Sequence, residues 1–96
     1  MEVVAQKPYC WTLLRDGSEY IFSAVQGGRA MTSREITLIT REIQLYETYG
    51  EAILDDLAKQ VNQNPHAFNA RTISSFRSDD RVSEAFAAWH RKKSTD

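Results

Sequence analysis

The chain has 96 residues, of which 42% are hydrophobic and 26% charged, and its formal net charge is −1. This composition, with only four Gly and two Pro, excludes long disordered segments and predicts one globular domain over residues 1–96. The single cysteine, Cys10, excludes an internal disulfide and fits a reducing cytoplasm. No apolar run is long enough for a membrane-spanning helix, so a soluble protein is expected.

The pair Asp16-Gly17 separates two runs that are rich in aromatic and β-branched residues. Such a pair is a strong signal for a two-residue turn, and it predicts an antiparallel β-hairpin over residues 9–25. With this turn, Leu13 lies opposite Tyr20. One face of the hairpin then carries Tyr9, Trp11, Leu13, Tyr20 and Phe22. Because an isolated hairpin is only marginally stable, we expect this aromatic face to pack on a helix.

The stretch after the hairpin carries the signals of a helix start. Thr32 is suited to the N-cap, and Glu35 three residues later completes a capping box. Apolar residues, Ile39 and Ile53 among them, then recur at three- and four-residue steps along one helix face, which predicts a long helix over residues 33–62. Gly50 falls inside this range, and glycine costs up to about 1 kcal/mol in a helix interior. Because the apolar period continues past Gly50, one bent helix is favoured over a break at this residue.

Two shorter helices are predicted after the long one. Asn64 as N-cap and Pro65 at the first helical position predict a helix over residues 65–76. Ser78 as N-cap, followed by two aspartates and closed by a basic run, predicts a last helix over residues 79–92. The predicted fold is therefore α+β, an N-terminal antiparallel β-hairpin packed on a long α-helix and followed by two shorter α-helices. The first few residues and the C-terminal tail are expected to fray.

Residues suited to catalysis are few and dispersed. His66 and His90 are far apart in the chain, and neither has a Cys or a carboxylate at a metal-binding spacing. Asp55 and Asp56 are adjacent in a predicted helix and so point in different directions, which suits a solvated face better than a catalytic pair. We therefore expect a protein that is not an enzyme and that needs no metal or cofactor.

Two surfaces are candidates for binding a partner. Their residues are Leu14, Ile21 and Val25 on the second hairpin face, and Leu38, Leu45 and Tyr49 on a flanking stripe of the long helix. Uncovered apolar faces and open strand edges are places where partners dock. The alternative for the hairpin face is that residues 3–5 or the last helix cover it within the chain.

These surfaces predict a protein-binding module that contacts another protein, or a second copy of itself as a homodimer. A small regulator or inhibitor that acts on a larger protein complex, of bacterial or phage origin, is the kind of protein expected.

A nucleic-acid-binding regulator is the competing hypothesis. Residues 1–58 hold five basic and nine acidic side chains, whereas residues 59–96 hold seven basic and four acidic ones. Residues 53–76 also have the helix, polar turn and second helix of a helix-turn-helix. The residues that would contact nucleic acid are Asn69, Arg71, Arg77, Arg81, Arg91, Lys92 and Lys93. Lys and Arg are few for the phosphate contacts that dominate such affinity, so protein binding is preferred.

Overall fold

The fold is a four-stranded antiparallel sheet with helices on both faces. The computed structural model describes residues 1–7, 10–26, 32–73 and 79–94. The strands are β1 (Glu2–Lys7), β2 (Trp11–Asp16), β3 (Glu19–Gln26) and β4 (Thr32–Thr37), and they lie in the order β1-β2-β3-β4. The helices are α1 (Thr40–Tyr49), α2 (Glu51–Gln63), a 3-10 helix (Pro65–Arg71) and α3 (Asp80–Ser94). None of the helices within these ranges is long and apolar enough to cross a membrane. The predicted α+β class is confirmed.

The hairpin of β2 and β3 forms, but its turn lies one residue further along the chain than predicted. Asp16 pairs with Glu19, so the two-residue turn is Gly17-Ser18 in place of Asp16-Gly17. Gly17 has φ +65°, a conformation that glycine adopts at little cost. Asp16 extends β2, and its carboxylate accepts a hydrogen bond from Arg81 of α3 at 3.0 Å. Each residue of β2 therefore pairs with a residue two positions further along β3 than predicted, as Leu13 does with Phe22 in place of Tyr20. Because side chains alternate between the two faces of a strand, a shift of two positions leaves every side chain on its predicted face.

Residues 32–37 form strand β4, so the helix start predicted at Thr32 and Glu35 is wrong. β4 pairs with β3 along its whole length, which satisfies a backbone edge that the long strand β3 would otherwise leave open. Ser23 Oγ donates to Glu35 Oε2 at 2.8 Å, so the carboxylate expected to cap a helix lies between strands. The β-branched residues of this segment also favour a strand. Tertiary pairing therefore overrides the local helix signal.

The long helix predicted over residues 33–62 is two helices. α1 ends at Tyr49 and α2 begins at Glu51. Gly50 between them has φ +79° and ψ −152°, a conformation that glycine alone adopts readily. Its N–H donates to Tyr46 O at 2.8 Å and closes the last turn of α1. The preference for one bent helix was thus wrong, and the break at Gly50 is what the structure shows.

The aromatic face of the hairpin packs on α2, as predicted. Trp11 and Phe22 are fully buried, and their ring centroids lie 6.0 Å apart. The residues that α2 and the 3-10 helix add to this core are Leu54, Leu57, Ala58, Val61 and Phe68. Trp11 Nε1 also donates to Asp55 Oδ1 of α2 at 2.9 Å. Tyr9 lies outside the described residues. Because buried aromatic rings remove a large apolar area from water, this face forms the larger core.

The second face of the sheet is covered by α3, the alternative that the sequence left open. Leu14 is fully buried, and Ile21 is 7% exposed. Both belong to a cluster to which α3 contributes Val82 and Ala85, and β1 contributes Val3. The N-terminal residues that were expected to fray therefore form a strand. Leu14 and Ile21 are core residues rather than an open docking face.

The first of the two shorter helices is a 3-10 helix. It spans Pro65–Arg71, whereas the sequence predicts an α-helix over residues 65–76, of which 74–76 lie outside the described residues. The chain then runs along the edge of β4, where the N–H of Ile73 donates to Glu35 O at 2.8 Å. This edge contact gives the backbone a strand-like partner and ends the helix.

Helix α3 lies close to the range predicted for the last helix, residues 79–92. The carboxylate of Asp79 accepts the backbone N–H of Arg81 at 2.9 Å, so Asp79 caps the helix. The cap predicted from the sequence, Ser78, lies outside the described residues.

Substitution of Ile21 by Asp tests whether the second face is core. The variant places an unpaired carboxylate under α3, so we expect the free energy of unfolding to fall by at least about 3 kcal/mol. Glu19→Gln, at an exposed position of the same strand, is the matched control and should change stability by less than about 0.5 kcal/mol. Urea denaturation followed by circular dichroism measures both. An Ile21→Asp variant as stable as the wild type would show that this face is open to solvent.

Gly50→Ala distinguishes two helices from one by the sign of its effect. A methyl group at Gly50 meets no atom within 4 Å, so its effect comes from the backbone alone. With φ at +79°, Ala should lower the free energy of unfolding by about 1–3 kcal/mol. In a continuous helix the same change would raise it by up to about 1 kcal/mol. Thermal or urea denaturation decides between them, and a stabilised variant would contradict the break.

Candidate functional site

Helix α1 is an element that the core leaves largely uncovered. None of its ten residues is buried. Its last residue, Tyr49, is 66% exposed, and Ile39 immediately before its first residue is 48% exposed. No other large apolar side chain in the described part of the chain is as exposed as these two. The two side chains stand at opposite ends of α1, about 15 Å apart along the helix axis, and Ile39 is the one that borders a groove.

A groove of about 380 Å³ lies between α1 and α2. The apolar part of its lining is Ile39, Leu45, Ile53 and Leu57. Leu45 and Ile53 are half-buried, whereas Leu57 belongs to the core below. We call these three residues, Ile39, Leu45 and Ile53, the α1–α2 surface, together with Tyr49, which follows Leu45 by one turn of α1. Apolar grooves between helices receive side chains from a partner in several known modes of recognition.

A bidentate ion pair holds the N-terminal end of α1. Arg71 Nη1 and Nη2 donate to the two carboxylate oxygens of Glu42 at 2.6 and 3.0 Å. Arg71 also donates to Thr37 O at 3.2 Å, and its guanidinium lies 5.0 Å from the centroid of the Phe68 ring. Glu42 in turn accepts the backbone N–H of Ile39 at 3.1 Å. Since paired charged groups of this geometry make strong hydrogen bonds, α1 has a fixed position on the 3-10 helix and the end of β4.

The other side of α1 rests on the larger core. Ile43 and Tyr46 are partly buried against it, and the Tyr46 ring lies edge-on to Tyr20 with centroids 6.4 Å apart. Burial raises the pKa of Tyr46, and the carboxylate of Glu51 raises it further. These contacts use one side of the helix and leave the α1–α2 surface uncovered.

The residues predicted to bind a partner are separated in the structure. Those inside the core are Leu14, Ile21 and Leu38. Leu38 continues the β4 strand, with its N–H donating to Tyr20 O at 2.9 Å, and so is not part of a helical stripe. Val25 lines a different cleft, between α2 and the sheet. Leu45 and Tyr49 belong to the α1–α2 surface.

Sequence reasoning missed Ile39 and Ile53 as surface residues. The helical period assigned both to the side that faces the core. The start of α1 at Thr40 and the break at Gly50 change that assignment, because the two segments no longer share one helix axis. The available signal was the glycine followed by Glu51, since acidic residues are typical of the first turn of a new helix.

The cleft between α2 and the sheet has a volume of about 470 Å³ and a single carboxylate, Asp55, in its lining. Asp55 Oδ1 accepts hydrogen bonds from Trp11 Nε1 at 2.9 Å and from Lys7 Nζ at 3.2 Å. These two donors hold the pKa of Asp55 below its usual value. Asn62, at the other end, donates to the backbone carbonyl oxygens of Val25 and Ala58. The polar groups of this cleft therefore join α2 to the sheet.

A second polar cluster crosses the strands of the sheet. Glu35 is 6% exposed, and its Oε2 accepts hydrogen bonds from Ser23 Oγ at 2.8 Å and Ser33 Oγ at 2.5 Å. Gln6 and Thr12 continue this polar row on the neighbouring strands, with Gln6 Nε2 donating to Thr12 Oγ1 at 3.1 Å. Thr12, Ser23 and Glu35 are buried and Gln6 and Ser33 are half-buried, so the row satisfies polar groups within the fold.

The residues predicted to contact nucleic acid have varied surroundings. Asn69 accepts a hydrogen bond from Arg34, and Arg71 and Arg81 form ion pairs with carboxylates of the chain. Hydrogen bonds to Asp79 raise the pKa of Arg81 most, and the carboxylate of Asp16 adds to this. The basic run at the end of α3 contains Arg91, Lys92 and Lys93. Ten residues of helix, about 15 Å, separate Arg81 from this run. Arg77 lies outside the described residues.

Comparison with known proteins yields no relative for this chain. No family model and no curated protein matches its sequence, and no solved structure matches its fold. Within the described ranges, no group of three or more His, Cys, Asp or Glu side chains is placed to hold a metal ion.

Proposed function

We propose that this protein is a non-enzymatic protein-binding module whose partner docks on the α1–α2 surface. The observation that carries the proposal is the groove between α1 and α2, whose lining includes Ile39, 48% exposed, and the half-buried Leu45 and Ile53. Tyr49, 66% exposed, follows Leu45 by one turn of α1. The apolar side chains on both faces of the sheet, by contrast, are covered by helices. An apolar surface left open in such a fold is best explained by a partner that covers it.

The placement of Ile39 supports a role in binding. Ile39 occupies the N-cap of α1 and has no side-chain oxygen to accept a hydrogen bond from the first turn. Isoleucine is among the poorest N-cap residues, and Ser, Thr, Asn or Asp would make the cap more stable by about 0.5–2 kcal/mol. A side chain that is half exposed recovers little of that energy by burial. Residues that break a local rule without a structural gain are often kept for function.

The function that fits these features best is that of a small regulator or inhibitor that occupies a surface of a larger protein assembly. Nucleic-acid binding is the less supported alternative. Two of its proposed contacts, Arg71 and Arg81, are held in ion pairs with Glu42, Asp79 and Asp16. Phosphate contacts need cations that face solvent together, and these pairs reduce the charge available for them.

Ile39→Thr tests the proposal because it should make the fold more stable while weakening the binding of the partner. Thr at this position completes a capping box with Glu42, so we expect the free energy of unfolding to rise by about 0.5–2 kcal/mol. Partner capture should instead fall several-fold, because an apolar contact is lost. Tagged wild-type protein, Ile39→Thr and the exposed α3 control Glu84→Gln are each used to recover binding proteins from nuclease-treated host extract.

The control should recover the same stoichiometric protein as the wild type. Undiminished recovery of that protein by Ile39→Thr would contradict docking on this surface. Recovery of nucleic acid in place of protein, when nuclease is omitted, would favour the alternative function.

A further inference from the structure

Helix α1 is joined to the core less firmly than the other two α-helices. None of its ten residues is buried, whereas α2 and α3 each add buried apolar side chains to a core. α1 meets the larger core through Ile43 and Tyr46, and both are only partly buried. Because local opening costs least where few apolar side chains are buried, α1 can open while the core keeps its buried side chains.

Both ends of α1 lie where the backbone can turn. Gly50 separates α1 from α2, and it has no side chain to restrict rotation about its φ and ψ angles. At the other end the chain leaves the sheet after Leu38, whose N–H donates to Tyr20 O. Ile39 follows in an extended conformation and is half exposed. Hinges consist of a few such residues at the ends of elements, so Ile39 and Gly50 are suited to be hinges.

The ion pair between Glu42 and Arg71 closes α1 onto the fold. Arg71 is fixed independently of α1, because it also donates to Thr37 O and its guanidinium lies over the Phe68 ring. Glu42 is therefore the half of the pair that moves with α1. Both side chains are partly buried, with 24% of Arg71 and 17% of Glu42 exposed. A bidentate pair of this kind is strong but depends on geometry, so it is either fully made or lost.

We propose that α1 is a hinged lid, closed by the Glu42–Arg71 ion pair, that opens as one unit about Ile39 and Gly50 while the sheet, α2 and α3 stay folded. Opening uncovers Tyr20, whose ring lies against Tyr46 in the closed form, and it separates the two walls of the α1–α2 groove.

The lid goes beyond the proposed function, because it depends only on how α1 is attached to the fold. It also has a consequence for that function. A partner that contacts α1 and α2 together binds the closed form, so the ion pair sets the fraction of molecules that are competent to bind.

Native-state hydrogen exchange of the full 15N-labelled chain, followed by NMR, measures the opening. The hydrogen-bonded amides of α1 run from Ile43, which donates to Ile39 O, to Gly50, which donates to Tyr46 O. After correction for intrinsic rates, we expect them to exchange at least about 100-fold faster than the amides that pair β2 with β3. Their rates should also rise together in low concentrations of urea, since a unit that opens exposes surface whereas fraying of single residues does not.

Two variants remove the ion pair in different ways. Arg71→Met removes the guanidinium, and Glu42→Gln removes the charge but keeps an oxygen that can accept the N–H of Ile39. Each should speed exchange of the α1 amides at least about fivefold and change that of β2 and β3 by less than about twofold. Glu47→Gln is the matched control, because it removes an exposed carboxylate of the same helix, and it should change neither rate more than about twofold.

Three results would overturn the lid. The first is exchange of the α1 amides at the rate of β2 and β3, which would mean that α1 opens only when the whole chain unfolds. The second is an equal effect of the variants on α1 and on the sheet, which would make the ion pair a support of the entire fold. The third is exchange of α1 that neither variant changes. No partner takes part in these measurements, so the proposed function is judged separately by capture from host extract.

Discussion

Burial of both faces of one small sheet is the constraint from which the rest of the structure follows. α2 closes the face that carries Trp11, and α3 closes the face that carries Leu14. A chain of 96 residues has little further surface that a helix could bury. α1 is therefore held at one end by the Glu42–Arg71 pair and along one side by Ile43 and Tyr46, and its remaining side faces solvent.

The break at Gly50 turns this exposed helix into one wall of a groove. In a continuous helix, residues 45 and 53 would lie about 12 Å apart along the axis. With the break, Leu45 and Ile53 line the same groove from different helices. The backbone conformation of Gly50, with φ +79°, is one that other residues adopt only with strain. One glycine thus determines both the end of α1 and the shape of the proposed docking surface.

Local signals in the sequence predicted those parts of the fold in which local and tertiary preferences agree. The Asp16-Gly17 region, the aromatic face of Trp11 and Phe22, and the last helix are such parts. The capping box at Thr32 and Glu35 was misleading because the open edge of β3 offered that segment a more favourable pairing. The sequence also could not show which segment would cover the second face of the sheet. Helix α3, which does so, lies about 60 or more residues after Leu14 and Ile21 in the chain.

The candidate site was predicted only in part, for a related reason. Leu45 and Tyr49 were recognised as a flanking stripe, because a helical period reveals residues outside the main apolar face. Ile39 and Ile53 looked like core residues as long as residues 33–62 were treated as one helix. Their exposure depends on where α1 begins and ends, and both limits are set by β4 and Gly50 rather than by the pattern of apolar residues.

The fold thus combines a closed core with an open apolar surface between α1 and α2, and that surface is where we propose that a partner binds. The most direct measurement is a backbone amide chemical-shift map of the 15N-labelled protein during titration with the partner protein recovered from host extract. If the α1–α2 surface is the docking site, the largest shifts lie between residues 39 and 57 and those of α3 stay small. Largest shifts in α3, or shifts spread over acidic residues throughout the chain, would contradict it.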